Sequence, residues 1–155
     1  MKVDVLVVGG GFAGLSTALD LAERGVKDVA VIEQERKLGG HASGRNAGMI
    51  RQSVSEPGLA RLAHTGRELL ERFQKRSGQN IGFRKSGSLL LAKGETQSDL
   101  DRIRRTLKRE GVPCRMISKK EAAKKVFFLE GGDFESALYT PSDAIVDIRA
   151  LLEAF

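Results

Sequence analysis

Six residues near the amino terminus, Gly9-Gly10-Gly11-Phe12-Ala13-Gly14, restrict the possible folds of this chain more than any others. They follow an apolar, β-branched run from Lys2 to Val8 (KVDVLVV). From Leu15 to Arg24, Leu15, Ala18, Leu19 and Ala22 recur at helical spacing, and Gly25 ends the predicted helix. A second apolar run, Val29-Ala30-Val31-Ile32, closes on an acid, Glu33. Strand, G-x-G-x-x-G, helix, strand and terminal acid in this order form a βαβ unit suited to a dinucleotide.

Each part has a physical task. Gly9 permits a tight turn out of the strand. Gly11, lacking a β-carbon, lets the backbone approach a pyrophosphate. Gly14, with Ala18 one turn later, lets the helix lie close to the sheet. Main-chain N–H groups at Phe12, Ala13 and Gly14, aided by the helix dipole, would hold phosphates without a side-chain cation. Glu33, about 20 residues beyond the last glycine, would accept hydrogen bonds from an adenosine ribose, with Gln34 beside it.

The chain has 155 residues, enough for a sizeable core. It is 41% hydrophobic and 30% charged, as an ordinary globular protein is. Cys114 is the single cysteine, so no internal disulfide can form. Two histidines, His41 and His64, and one cysteine offer no metal-ligand spacing. The net charge is +6, carried largely on predicted helices among acids, which reads as a solvated face. With one tyrosine and no tryptophan, a stacking surface for nucleic acid is not expected. The first strand begins within three residues, which leaves no room for a signal peptide, and no apolar run is long enough to cross a membrane. The expected address is the cytoplasm, with peripheral membrane attachment open.

Residues 34–54 are glycine-rich, polar and aperiodic, as a functional loop would be. Ser43, Arg45 and Asn46 offer donors there, and Gly48 allows close approach. Ser55 and Pro57 announce a helix running to Arg76. Its apolar stripe of Leu59, Leu62, Ala63, Gly66, Leu69, Leu70 and Phe73 is expected to face the core, with Arg61, Arg67, Glu68, Glu71 and Arg72 outward. His64 is expected on the helix surface. One or two strands follow over 83–92, then a charged helix over 95–110 with a narrow stripe of Leu100, Ile103 and Leu107. A short strand over 112–117 is expected to bury Cys114. Ser118 and Glu121 form a capping box for a helix over 119–125. A strand over 134–139 leads to a last helix starting near Asp147. That helix stops after about two turns, from which a truncated chain is expected.

Beyond the glycine turn, Ala42-Ser43-Gly44-Arg45-Asn46-Ala47-Gly48-Met49-Ile50 resembles the second flavin-contacting stretch of the D-amino-acid-oxidase-like flavoproteins. That family includes glycine oxidase, sarcosine oxidases and D-amino-acid dehydrogenases. Gly87–Ala92 resembles the first strand of their substrate domain, and Leu138–Asp147 the segment returning to the flavin domain. The family often has proline where Ile148 stands here. The resemblance covers the whole chain but only the amino-terminal part of a family member.

It implies an α/β fold: a Rossmann-like βαβ FAD-binding domain with the start of a mixed-sheet α+β substrate domain. The implied boundaries are 1–80 for the FAD-binding part, 81–140 for a partial substrate domain and 141–155 for the return segment. The implied function is oxidation of the C–N bond of an amine or amino acid by hydride transfer to non-covalent FAD. His41 lies too early to be the covalent attachment site of some relatives. Arg51 would bind the substrate carboxylate, as an arginine near that position does in sarcosine-oxidase-like members. The implied cofactor residues are Gly9, Gly11, Phe12, Ala13, Gly14, Glu33, Gln34, Ser43, Arg45, Asn46, Ala47 and Gly48. The implied partners are a small amine or amino acid and a complementing C-terminal segment or subunit. Without that segment the chain is expected to be inactive. Two alternatives stand beside this reading: an NAD-linked or other dinucleotide-binding oxidoreductase, and a non-catalytic, truncated FAD-binding subunit.

Overall fold

The computed structural model describes residues 2–155. Their elements run β1 (Val5–Val8), α1 (Phe12–Glu23), β2 (Val29–Ile32), β3 (Met49–Ile50), α2 (Pro57–Ser77), β4 (Arg84–Lys85), β5 (Ser88–Ala92), α3 (Thr96–Arg109), β6 (Arg115–Ser118), α4 (Lys119–Lys125), β7 (Ser136–Thr140), β8 (Ala144–Ile145) and α5 (Ile148–Ala154). They pack as two compact units. The first takes in the chain through Gly48, Gln79–Gly82 and Val146–Phe155; the second takes in Met49–Gly78 and Phe83–Ile145.

In the first unit β1 and β2 pair in parallel, Val5 opposite Val29 and Val8 opposite Ile32, with α1 as the crossover. Helix α1 begins at Phe12, three residues before the first residue of its apolar stripe, because Gly11 is its extended N-cap. The unbroken Val-Leu-Val-Val of β1 has the composition of a strand covered on both faces. Among the described residues only one face is covered, and Val8 is 77% exposed with Leu6 and Ile32 also open. Asp147 caps α5 by accepting from the Ala150 N–H, so Ile148 occupies the first helical position.

The second unit holds two antiparallel sheets, ordered β3-β8-β4 and β5-β7-β6. The first of its two cores gathers Ala60, Ala92, Leu100, Leu107, Val112 and Leu138. The second joins Ile117, Ala122, Phe134 and Ala137. The narrow stripe of α3 is inward as expected, with Leu100 and Leu107 buried. The capping box at Ser118 and Glu121 is complete. Cys114 precedes β6 and is half-buried, and burial raises its thiol pKa.

Helix α2 departs from expectation twice. Its N-cap is Glu56, not Ser55: the Glu56 carboxylate accepts from the Gly58 and Leu59 N–H groups. Its sidedness is only partly as expected: Phe73 is buried and Arg61 and Arg72 are exposed, but other positions depart. Leu62 is 69% exposed, and Leu59 and Leu69 are also open, while Arg67 is buried. The inward side includes polar residues that are bonded within the unit. His64 Nδ1 lies 2.8 Å from Gln52 Oε1, and Gln74 accepts from the Phe83 N–H at 3.0 Å. Arg67 donates to Glu71 at 2.8 Å. Ala60 and Phe73 are the buried apolar residues of this helix, with Ala63 and Leu70 half-buried.

Glu71 ties α2 to β4. It receives Lys85 at 2.9 Å, Lys75 at 3.2 Å and Arg67 at 2.8 Å. The bond from Lys85, then those from Lys75 and Arg67, hold its carboxyl down at about 2, against an ordinary value of 4.5, although burial opposes them. A depressed carboxylate contributes stability that is fully present above its unfolded pKa and is lost as pH falls through the folded one. Glu71 therefore stabilises the second unit at neutral pH and ceases to between pH 4.5 and about 2. Glu71→Gln is expected to lower stability at neutral pH and to flatten its decline across that window, measured by urea unfolding at successive pH values. An acid limb identical to that of the parent would refute this.

Candidate functional site

The glycine turn of the first unit is built by close approach. Gly9 adopts φ +106°, where a side chain is strained, and its N–H donates to the Ile32 carbonyl at 2.8 Å. A β-carbon at residue 14 would run into the Gly9 carbonyl oxygen and lie 3.2 Å from Val7 Cγ1. Gly14 thus seats α1 directly on the turn. A β-carbon at residue 11 would fall 2.8 Å from Ser43 Oγ. That hydroxyl oxygen accepts from the Phe12 N–H at 3.0 Å, which joins the second sequence block to the first.

Glu33 closes the turn from the end of β2. Its Oε2 accepts from the Gly10 N–H at 2.7 Å and its Oε1 from the Glu35 N–H at 3.0 Å. These two bonds, that from Glu35 first, hold the carboxyl below its usual range, so it is ionised at neutral pH. Each oxygen keeps a second lone pair for a hydroxyl donor. At the start of α1, the Ala13 and Gly14 N–H groups have no acceptor among the described residues, and the first turn carries no acid. Two open donors, a positive dipole end and a fixed carboxylate are the donor and acceptor set that the pyrophosphate and ribose of an adenine dinucleotide require. The residues present fit that group.

The rest of the 42–48 block is a self-bonded loop. Asn46 Nδ2 donates to the Ala42 and Ser43 carbonyls at 3.2 and 2.8 Å, and its Oδ1 accepts from the Gly48 N–H at 2.9 Å. The Asn46 amide is therefore spent holding the loop. Gly48 is buried at φ +65°, and its carbonyl accepts from the Val146 N–H. Arg45, Ala47 and Gln34 are exposed. A groove of about 830 Å³ in this unit is lined by Leu38, Asn46, Ala47, Arg149 and Leu152, among others. His41 is exposed and pairs with Glu35 at 3.0 Å.

Arg51 belongs to the second unit. It is exposed, and no described residue accepts from its guanidinium. Its backbone is fixed on both sides. Ile50 pairs with Ala144, and the Gln52 N–H donates to Asp143 Oδ1 at 3.0 Å. Asp143, only 1% exposed, is the hub of this unit's polar network. Its carboxylate also accepts from Gln52 Nε2 at 2.8 Å and Ser88 Oγ at 2.6 Å, and its carbonyl from the Ser86 and Gly87 N–H groups. Ser53 and Thr140 bond each other beside it at 2.9 Å. His64, expected on the surface, is half-buried and joins this network through Gln52. No sequence signal marks such a hub, because its donors lie about 90 and 55 residues away along the chain.

Residues 4–155 match the profile of the FAD dependent oxidoreductases. The chain belongs to this family. It is 35% identical over 129 residues to sarcosine oxidase subunit beta of Rhodobacter capsulatus, an alignment covering 81% of this chain and 30% of that one. It is 29% identical over 146 residues to a mitochondrial pyruvate dehydrogenase phosphatase regulatory subunit of Mus musculus, covering 94% of this chain and 16% of that one. The structure of L-proline dehydrogenase from P. horikoshii superposes with a TM-score of 0.88 at 27% identity, covering 99% of this chain and 40% of that one. This FAD-dependent family member thus spans less than half the length of these relatives. It shares the Rossmann-like α/β fold of its structural neighbours. The family match sets the NAD-linked alternative aside. Among the described residues no His, Cys, Asp or Glu cluster could hold a metal, and no helix is long and apolar enough to cross a membrane.

Removing the Asp143 side chain leaves the buried Gln52 main-chain N–H and the half-buried Ser88 hydroxyl without their acceptor, while Gln52 Nε2 keeps only Ser142 Oγ. Asp143→Ala is expected to destabilise the chain by about 3 kcal/mol in chemical denaturation. A loss below about 0.5 kcal/mol, the range of ordinary surface changes, would show that the hub contributes nothing.

Proposed function

We propose that this chain is the N-terminal part of an FAD-dependent oxidoreductase that oxidises the C–N bond of an amine or amino acid. The observation that carries this reading is the glycine turn with Glu33 fixed against it and two main-chain donors open beside it. Gly9, Gly11, Phe12, Ala13 and Gly14 form the diphosphate cradle. Glu33, with Gln34 alongside, receives the adenosine ribose. Ser43, Arg45, Asn46, Ala47 and Gly48 form the second cofactor stretch, in which Asn46 shapes the loop and Ser43 keeps a hydroxyl proton to donate. Bound non-covalently by these residues, FAD would supply the two-electron, hydride-accepting chemistry that oxidation of a C–N bond requires. Arg51 receives the substrate carboxylate with two parallel N–H donors.

In this proposal the return segment 141–155 completes the FAD-binding part, and residues 81–140 begin a substrate domain. A further segment, on the same chain or on another subunit, supplies the rest of the pocket, since the relatives are more than twice as long. The 155-residue chain alone is then inactive, and the working address is the cytoplasm. A second reading, a non-catalytic FAD-binding chain, is favoured by the likeness to a relative named as a regulatory subunit.

Glu33→Ala removes the ribose acceptor and frees the Gly10 N–H. It is expected to weaken FAD binding about tenfold or more, read by quenching of flavin fluorescence during titration of the protein. Unchanged affinity would sink the dinucleotide reading. In an active full-length form, Arg51→Ala is expected to raise the apparent KM for carboxylated amines by about tenfold or more while sparing amines without a carboxylate. Equal effects on both substrate types would remove Arg51 from the site.

A further inference from the structure

Helix α4 and the turn after it carry a surface that the flavin reading does not use. Phe127 and Phe128 stand 81% and 72% exposed, their rings edge to face at 5.2 Å. Two adjacent phenylalanines this open are a contiguous apolar patch, not scattered surface residues. Four lysines precede them within α4. Lys119 Nζ lies 5.7 Å from the Phe134 ring, and Lys125 Nζ 4.1 Å from the Tyr139 ring. Both are thereby held in place. Lys120 and Lys124, one turn apart, are exposed, and neither has an ion-pair partner among the described residues. Glu121, the acid of this helix, is already engaged by Arg115 and the Ser118 cap. Lys119, Lys120, Lys124 and Phe127 line a groove of about 640 Å³, with Glu130 as its one acidic member.

We propose that this surface docks on an anionic lipid bilayer, the two phenylalanine rings entering the headgroup–acyl boundary and the lysines contacting lipid phosphates and carboxylates. The charge pattern selects this occupant. Unpaired ammonium groups flanking a protruding aromatic pair match a layer that is negative outside and apolar just beneath. A nucleic acid strand would need stacking faces spaced along a basic track, and here both rings sit at one point. A second copy of the chain would bring the same positive charges together. The attachment is weak and reversible, because basic residues and a few apolar side chains make only a marginal anchor. The proposal stands independently of the flavin site.

The test is co-sedimentation of the intact chain with vesicles of phosphatidylcholine alone or mixed with phosphatidylserine. Binding is expected to be at least about tenfold stronger to the anionic vesicles and to fall with added salt. Lys120→Glu/Lys124→Glu and Phe127→Ser/Phe128→Ser are each expected to weaken it by about tenfold or more, with unchanged circular dichroism. A single Phe127→Trp variant checks insertion separately, since brominated acyl chains should quench its fluorescence. Equal binding to both vesicle types, or none, overturns the proposal. So does retention by the phenylalanine variant, absence of quenching, preference for an oligonucleotide over vesicles, or a dimer that only the phenylalanine variant dissolves.

Discussion

The absence of a side chain at Gly14 is the constraint from which the first unit is built. Because α1 rests on the Gly9 carbonyl, its first N–H groups are delivered to the end of β1. Three separate segments then grip the same turn. Ile32 and Glu33 hold Gly9 and Gly10 from β2, the Gly39 N–H donates to the Gly10 carbonyl, and Ser43 meets Phe12. What remains unbonded, at Ala13 and Gly14, is placed where a phosphate needs it. The geometry is set before any ligand arrives, so little ordering cost falls on binding.

In the second unit Asp143 plays the comparable part with opposite chemistry. It is a buried carboxylate whose acceptor capacity is taken up by neutral donors, with no cation directly on it. Through Gln52 and through the contiguous Ser86, Gly87 and Ser88 it fastens two stretches that are remote from it in sequence. Such networks specify one arrangement, because any slip leaves several groups unsatisfied at once. The backbone of Arg51 inherits its position from this network, while its guanidinium stays free.

What could be read from the residues was what local rules govern. The Ser118–Glu121 box and the inward face of α3 depend on neighbours within a turn or two, the βαβ unit on three consecutive patterned segments, and all three are present. The α/β class and the family followed from the glycine turn and the 42–50 block. Helix α2 shows the limit. Periodicity fixed that it would have an apolar and a polar stripe, but not which would face inward. Some polar residues turn inward because Gln52, Lys85 and Phe83 offer His64, Glu71 and Gln74 specific partners. Those partners come from tertiary packing, which no window of sequence contains. The partners of His64 and Asp143 likewise come from tertiary packing.

The β1–β2 pair has a further consequence. A parallel ribbon of two strands has an outer edge on each side, so every second amide hydrogen lacks a sheet acceptor. The amides of Val5 and Gly9 are bonded across to Asp28 and Ile32, while those of the intervening strand residues facing outward are not. In deuterated water the ribbon would therefore label in alternation, fast and slow by turns along each strand. Any element that later adds itself to either side would erase that rhythm on its own side alone.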